Sequence, residues 1–260
     1  MKTGLLAISL LIFASSKSQT DTLTSGVYNT LGLKDKNGQA IQEKKLRGST
    51  TDLAVLSYHT STLAPGKANH AARALNDREE LIVVKEGQLK ININDSSKTL
   101  GPGSIALIVA GDMQSFENAS DKPVTYLVVG LKSKNPADIN RGKTSGGSLL
   151  RDWNELTVRK TNKGETRPVF DRPSSMFPRF EIHATTLNAG EESHLPHKHR
   201  QEEIMLLTKG RVTMNIADTM YSAVEGDVIF VRPEISHNLK NTGNEQCWYY
   251  AIKWFNEADQ

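Results

Sequence analysis

Apolar positions in this chain come in short bursts, each bounded by Gly, Asn, Asp or Pro. Val, Ile, Leu, Thr and Tyr are concentrated in Leu53–Thr60, Leu81–Lys85, Gln88–Asn94, Ile105–Val109 and Val124–Leu131. They are concentrated again in Arg179–Leu187, Glu203–Thr208, Arg211–Ala217, Val228–Val231 and Cys247–Trp254. Such residues fit a pleated, half-buried surface and the flanking turn formers end each run, so the pattern predicts strands of an antiparallel barrel or sandwich. Long amphipathic helices are not predicted. Between the two groups, Lys132–Ser148 is polar and glycine-rich and reads as a connector.

The two groups of strands are copies. Glu80 and Glu203, Gly87 and Gly210, Gly103 and Gly226, and Asn118 and Asn241 are each 123 residues apart, with no gap over the whole stretch. The wording also agrees: EELIVVKEGQLKININ stands against EEIMLLTKGRVTMNIA, and GPGSIALIVAGDMQSFEN against VEGDVIFVRPEISHNLKN. A fixed offset through strands and turns is the mark of a duplicated unit.

Ahead of the first copy, Lys2 precedes an apolar run, Leu5–Phe13, followed by small residues at Ala14, Ser16 and Ser18. This order is that of a secretory signal peptide, and the run is too short to cross a bilayer as a helix. The expected organisation is therefore a leader over 1–18, a first barrel over 19–131, a linker over 132–148 and a second barrel over 149–260, in a secreted or periplasmic protein. Loss of Lys2 and Lys17 with the leader lowers the formal charge from +3 to about +1 and leaves no basic block, which argues against a nucleic-acid partner. No later segment is apolar enough to span a membrane. The single cysteine, Cys247, lies in a strand beside Trp248, Tyr249 and Tyr250 and reads as a packing residue.

Candidate chemistry is concentrated in the second copy. His197 and His199 are one residue apart, so on an extended strand both imidazoles face the same way and can share one ion. Glu203 starts the next strand, and His237 is expected to end a strand of the following hairpin. In the first copy the corresponding positions are Ala74, Asn76, Glu80 and Gln114, so only one ligand survives and that barrel is expected to be metal-free. A weak site from His70, Glu80 and Gln114 is the open alternative. His194 has the same spacing from Gly190 as His70 has from Gly66, in a copy with no ligand set, so it is assigned away from the metal. His183, Glu181, Arg179 and Tyr249 are further candidates for polar groups beside the metal, their facing left open.

The run Gly190-EESHLP-His197-Lys-His199-RQE-Glu203-IMLLTK-Gly210, followed by Gly226-DVIFV-Arg232-Pro-Glu234-IS-His237-NLK-Asn241, resembles the two motifs of the cupin superfamily. Arg232 and Glu234 stand where the family usually has its turn proline and glycine, with Pro233 between them. The resemblance implies an all-β fold of two tandem double-stranded β-helix (jelly-roll) barrels, a bicupin. It also implies one divalent ion, Mn, Fe, Ni or Zn, held by His197, His199, Glu203 and His237. The layout is similar to ureidoglycine aminohydrolases. Those enzymes have a glutamate and a glutamine where this chain has His197 and His237, and its ligand set looks more like that of cupin dioxygenases and decarboxylases. In that reading Glu203 doubles as a catalytic base. A hydrolase, or a periplasmic protein that only binds a small molecule, stays open beside it. A small-molecule partner and a monomer or homo-oligomer are expected.

Overall fold

A computed structural model describes residues 21–28 and 43–259; the expected leader lies outside them. Among these residues the strands form four sheets. The largest has the order Gly26–Tyr28, Val228–Val231, Glu202–Lys209, Cys247–Phe255, Arg179–Leu187, Gly164–Arg172 and Arg159–Thr161. A three-stranded sheet, Thr219–Val224, Arg211–Ile216 and His237–Asn241, lies across it and completes the second barrel. The first barrel pairs a six-stranded sheet, ordered Leu149–Arg151, Ile105–Ile108, Glu79–Glu86, Val124–Ser133, Leu53–Leu63 and Glu43–Gly48, with a smaller one. That smaller sheet is ordered Arg73–Ala74, Met113–Glu117, Leu89–Ile93 and Ser96–Leu100. The molecule is nearly all β, as expected. No helix among the described residues is long and apolar enough to cross a membrane.

Period-two alternation sorts the side chains into three cores. Ile82, Leu89 and Phe116 fill the first barrel, and Met205, Val212 and Leu239 fill the second. The opposite faces of the two large sheets pack together: Leu56, Leu81 and Leu107 meet Ile182, Ile204, Phe230 and Trp254 between the barrels. Each such side chain, fully buried, contributes about 1.5–3 kcal/mol, so the barrels are held together by a core of their own.

Two short strands cross the expected division. Gly26–Tyr28 pairs antiparallel with Val228–Val231 of the second barrel, and Leu149–Arg151 pairs with Ile105–Leu107 of the first. The connector also differs from its expected form. Its first two residues extend the strand Val124–Ser133, and it carries a helix, Ile139–Thr144, capped by Asp138, whose Oδ1 accepts from the Arg141 amide at 2.8 Å. That short helix has no amphipathic stripe to betray it.

The interface between the barrels is reciprocal. Glu202, fully buried, accepts from the Thr50 hydroxyl at 2.5 Å and from the Thr51 and Asp52 amides at 2.7 and 3.1 Å. Its repeat counterpart Glu79 accepts from the Ser175 and Met176 amides at 2.5 and 3.2 Å. Likewise Tyr58 donates to the Gly226 carbonyl and Tyr250 to that of Gly103. Both glycines have positive φ, 90° and 83°, a conformation that favours glycine.

Candidate metal centre

Strand alternation separates the Glu202–Glu203 pair. Glu202 turns with Ile204 toward the other barrel, and Glu203 turns with Met205 into its own. His197 and His199 lie outside any strand rather than on the extended strand expected; His197 forms an isolated bridge with His237, each amide donating to the other's carbonyl, at 3.2 and 2.9 Å. His237 opens the strand His237–Asn241, whereas the sequence pattern places it at a strand's end. The shift arises because Pro233 and Glu234 form a turn that lets the chain leave the strand Val228–Val231 and re-enter the small sheet.

Ligand atoms of His197, His199 and His237 all lie within 4.8 Å of one another. The Glu203 Oε2 is 3.4 Å from Nε2 of His199 and 3.3 Å from Nε2 of His237. Two backbone contacts orient the rings: His199 Nδ1 meets the Gln201 carbonyl, and His237 Nδ1 the Ile235 carbonyl, both at 2.8 Å. A ring nitrogen facing a carbonyl carries the proton, so in neutral rings both Nε2 atoms present bare lone pairs to the centre. The His237 Nε2 is buried and lacks a hydrogen-bond partner, the mark of a ligand atom awaiting a cation.

Electrostatics agree with a cation-binding centre. Desolvation and the neighbouring imidazoles lower the His197 pKa to about 4, which keeps that ring neutral and able to ligate. Burial by itself would raise the Glu203 pKa, but His199 and His237 outweigh it and hold the carboxyl well below its ordinary range. His237 is opposed by its own burial yet is raised overall by Glu203. Positive charge is favoured where the carboxylate and rings meet, and three imidazoles with one carboxylate suit a divalent ion.

The centre opens into a cavity of about 480 Å³ lined also by Lys163, His183, Thr185, His194, Tyr249 and Lys253. The His194 ring packs edge-on against His197, with centroids 4.0 Å apart, and its Nδ1 contacts the Leu195 carbonyl at 2.9 Å. His183 and Tyr249 face the cavity. Glu181 stands beside His183 at 3.7 Å and Lys253 at 3.5 Å. Arg179 is exposed and pairs with Asp171 at 2.7 Å, away from the site. Sequence reasoning misses the two lysines, although the alternating strand that contains Lys253 could signal one of them. Burial raises the Cys247 thiol to about 11, as suits a packing residue.

The first barrel lacks this centre. Gln114 replaces His237, and its Nε2 donates to Glu80 at 2.9 Å. The two repeat asparagines share one structural role. Asn118 donates to the Leu63 and Lys122 carbonyls, and Asn241 to those of Leu187 and Glu245, at 2.9 and 2.7 Å in each barrel.

Comparison with known proteins agrees with this architecture. The cupin domain family model matches residues 59–130 and 183–253, more than half of the chain. The chain belongs to the cupin family, as a tandem member. No curated protein sequence matches it. Among solved structures, AerE from Microcystis aeruginosa is similar with a TM-score of 0.62 at 17% identity, over 84% of this chain and 98% of that one. Bacillus subtilis oxalate decarboxylase, in a study of its Mn(II) centres, gives 0.62 at 13% identity over 80% and 70%. The Lactobacillus farciminis oxalate decarboxylase formate complex gives 0.59 at 14% over 78% and 77%. At these identities the likeness is one of fold.

Proposed function

We propose that this protein is an exported, metal-dependent bicupin enzyme. It acts on a small oxygen-rich organic acid in the second barrel, by an oxygenase or decarboxylase type of reaction. The observation that carries the reading is the convergence of His197, His199 and His237 with Glu203, two of the rings presenting bare Nε2 atoms. Those four residues would hold one divalent ion. When bound, it supplies Lewis acidity and open positions for oxygen ligands.

The chain's own groups supply the rest. Lys163 and Lys253 line the same cavity and suit a carboxylate substrate. Glu203, held ionised by His199 and His237, is a weak base in place and would gain the basicity to accept a proton when it swings clear of them. Tyr249, whose phenol is pushed up by burial, stays protonated and can donate a hydrogen bond. The Mn(II) centres and the formate complex of the oxalate decarboxylases support manganese and a small acid as first choices. The leader-like residues 1–18 support export.

Elemental analysis of residues 19–260, purified beside a His197→Ala/His199→Ala variant, tests the centre. About one manganese, iron, nickel or zinc per chain, lost in the variant, is expected. Oxygen uptake and CO2 release with a panel of small acids then test the reaction. Equal, weak metal affinity in both proteins would leave a binding module as the better account.

A further inference from the structure

We infer that the cavity of the first barrel binds a small hydroxy acid, a molecule with a carboxylate at one end and hydroxyl donors at the other. The site is separate from the metal centre and does not depend on the function proposed for it. Its volume is about 400 Å³, and its lining includes Arg47, Arg73, Arg78, His59, His70 and Glu80. That size is within the ordinary range for small-molecule sites, about 300–1,000 Å³.

The charge is lopsided. Three guanidinium groups face one carboxylate, and Glu80 is already engaged by Gln114. Arg78 pairs with Asp77 at 2.9 Å, whereas Arg47 and Arg73 are exposed at the mouth. Guanidinium forks bind carboxylates through paired, charge-assisted hydrogen bonds. Where the second barrel has His197 and His199, the first has Ala74 and Asn76, with Arg73 adjoining, so anion recognition occupies the place of cation recognition.

A deeper group calls for a donor. His70 Nδ1 meets the Ala71 carbonyl at 2.8 Å and must donate, leaving Nε2 as an acceptor in the neutral ring; that atom is buried without a partner. Phe116 lines the cavity beside it and packs against the His70 ring. A buried acceptor left bare is costly, and a ligand donor that reaches it removes that cost. A hydroxyl group of a ligand would satisfy the His70 Nε2, while its carboxylate stays with the arginines.

Calorimetric titration of the mature chain with glycolate, glycerate and D-gluconate tests this, alongside the His197→Ala/His199→Ala variant. At least one of the three should bind at one per chain, equally in both proteins, and at least tenfold more tightly than acetate or D-glucose. Arg47→Gln/Arg73→Gln should weaken that ligand tenfold or more, and His70→Phe should reduce it to the level of acetate, with both variants melting like the parent. Absence of binding by all three acids would overturn the inference. So would binding that vanishes in the His197→Ala/His199→Ala variant yet survives the arginine substitutions, or parity with acetate and glucose.

Discussion

Glu79 and Glu202 occupy equivalent points of the two copies, and each extends its carboxylate into a loop of the opposite barrel. The loops are themselves equivalent, so the pair forms a pseudo-twofold clasp. Replacing Glu202 with Ala leaves the Thr51 and Asp52 amides and the Thr50 hydroxyl without their acceptor. Stability should fall by about 2–4 kcal/mol, read as a lower denaturation midpoint. A loss below about 0.5 kcal/mol would show that the clasp is dispensable.

Glu79 makes one side of the clasp pH-sensitive. Burial raises its pKa from 4.5 to about 7, against the pull of the Ser174, Ser175 and Met176 donors. The folded chain therefore holds a proton that the unfolded chain releases. This contribution is fully present below the unfolded pKa of 4.5 and is lost as pH rises through about 7. At most about 3 kcal/mol is at stake. Between pH 5 and 8 the melting temperature of the parent should fall relative to that of Glu79→Gln; parallel curves would count against the raised pKa.

Glu203→Gln separates ligation from proton transfer. The amide keeps an oxygen ligand but loses the charge and the basicity, so turnover should fall by two orders of magnitude or more, the range of general-base effects, while metal content falls far less. Parallel loss of metal and activity would assign Glu203 a ligand role alone.

Glu234 holds a left-handed φ of 59° at the turn before His237, where its repeat counterpart Gly111 has 92°. The Glu234 amide donates to the His199 carbonyl at 2.8 Å, so the strained turn braces the metal loop. Left-handed backbone costs a side chain of this kind about 1 kcal/mol. Glu234→Gly should leave stability equal or up to ~1 kcal/mol higher, with unchanged metal content; clear destabilisation would show that the Lys198 contact at 3.6 Å outweighs the strain.

The motif residues are legible because their chemistry is written locally. His197, His199, Glu203 and His237 sit in runs whose spacing brings them together once the strands alternate. Val228–Val231 and Arg179–Leu187, each bounded by polar or turn-forming residues, match their expected limits. Met113–Glu117 and Thr219–Val224 escape notice because they lie on the small sheets and mix Gln, Ser or Thr among few apolar residues. The role of Glu202 is hidden for another reason: its partners are some 150 residues away in sequence, and nothing near it signals them. Lys253 is likewise hidden until strand facing is known, and Lys163 because it sits in the turn between Arg159–Thr161 and Gly164–Arg172.

The strand Gly26–Tyr28 finds its only ladder partner among the described residues about 200 positions later, at Val228–Phe230. Closing so long a loop is entropically costly and slow. The second barrel takes its edge strand from ahead of the first barrel, and the first takes Leu149–Arg151 from beyond the expected linker. The two barrels are therefore laced together by exchanged strands as well as by the core between them, so that loosening either short strand disturbs a barrel other than its neighbour in sequence.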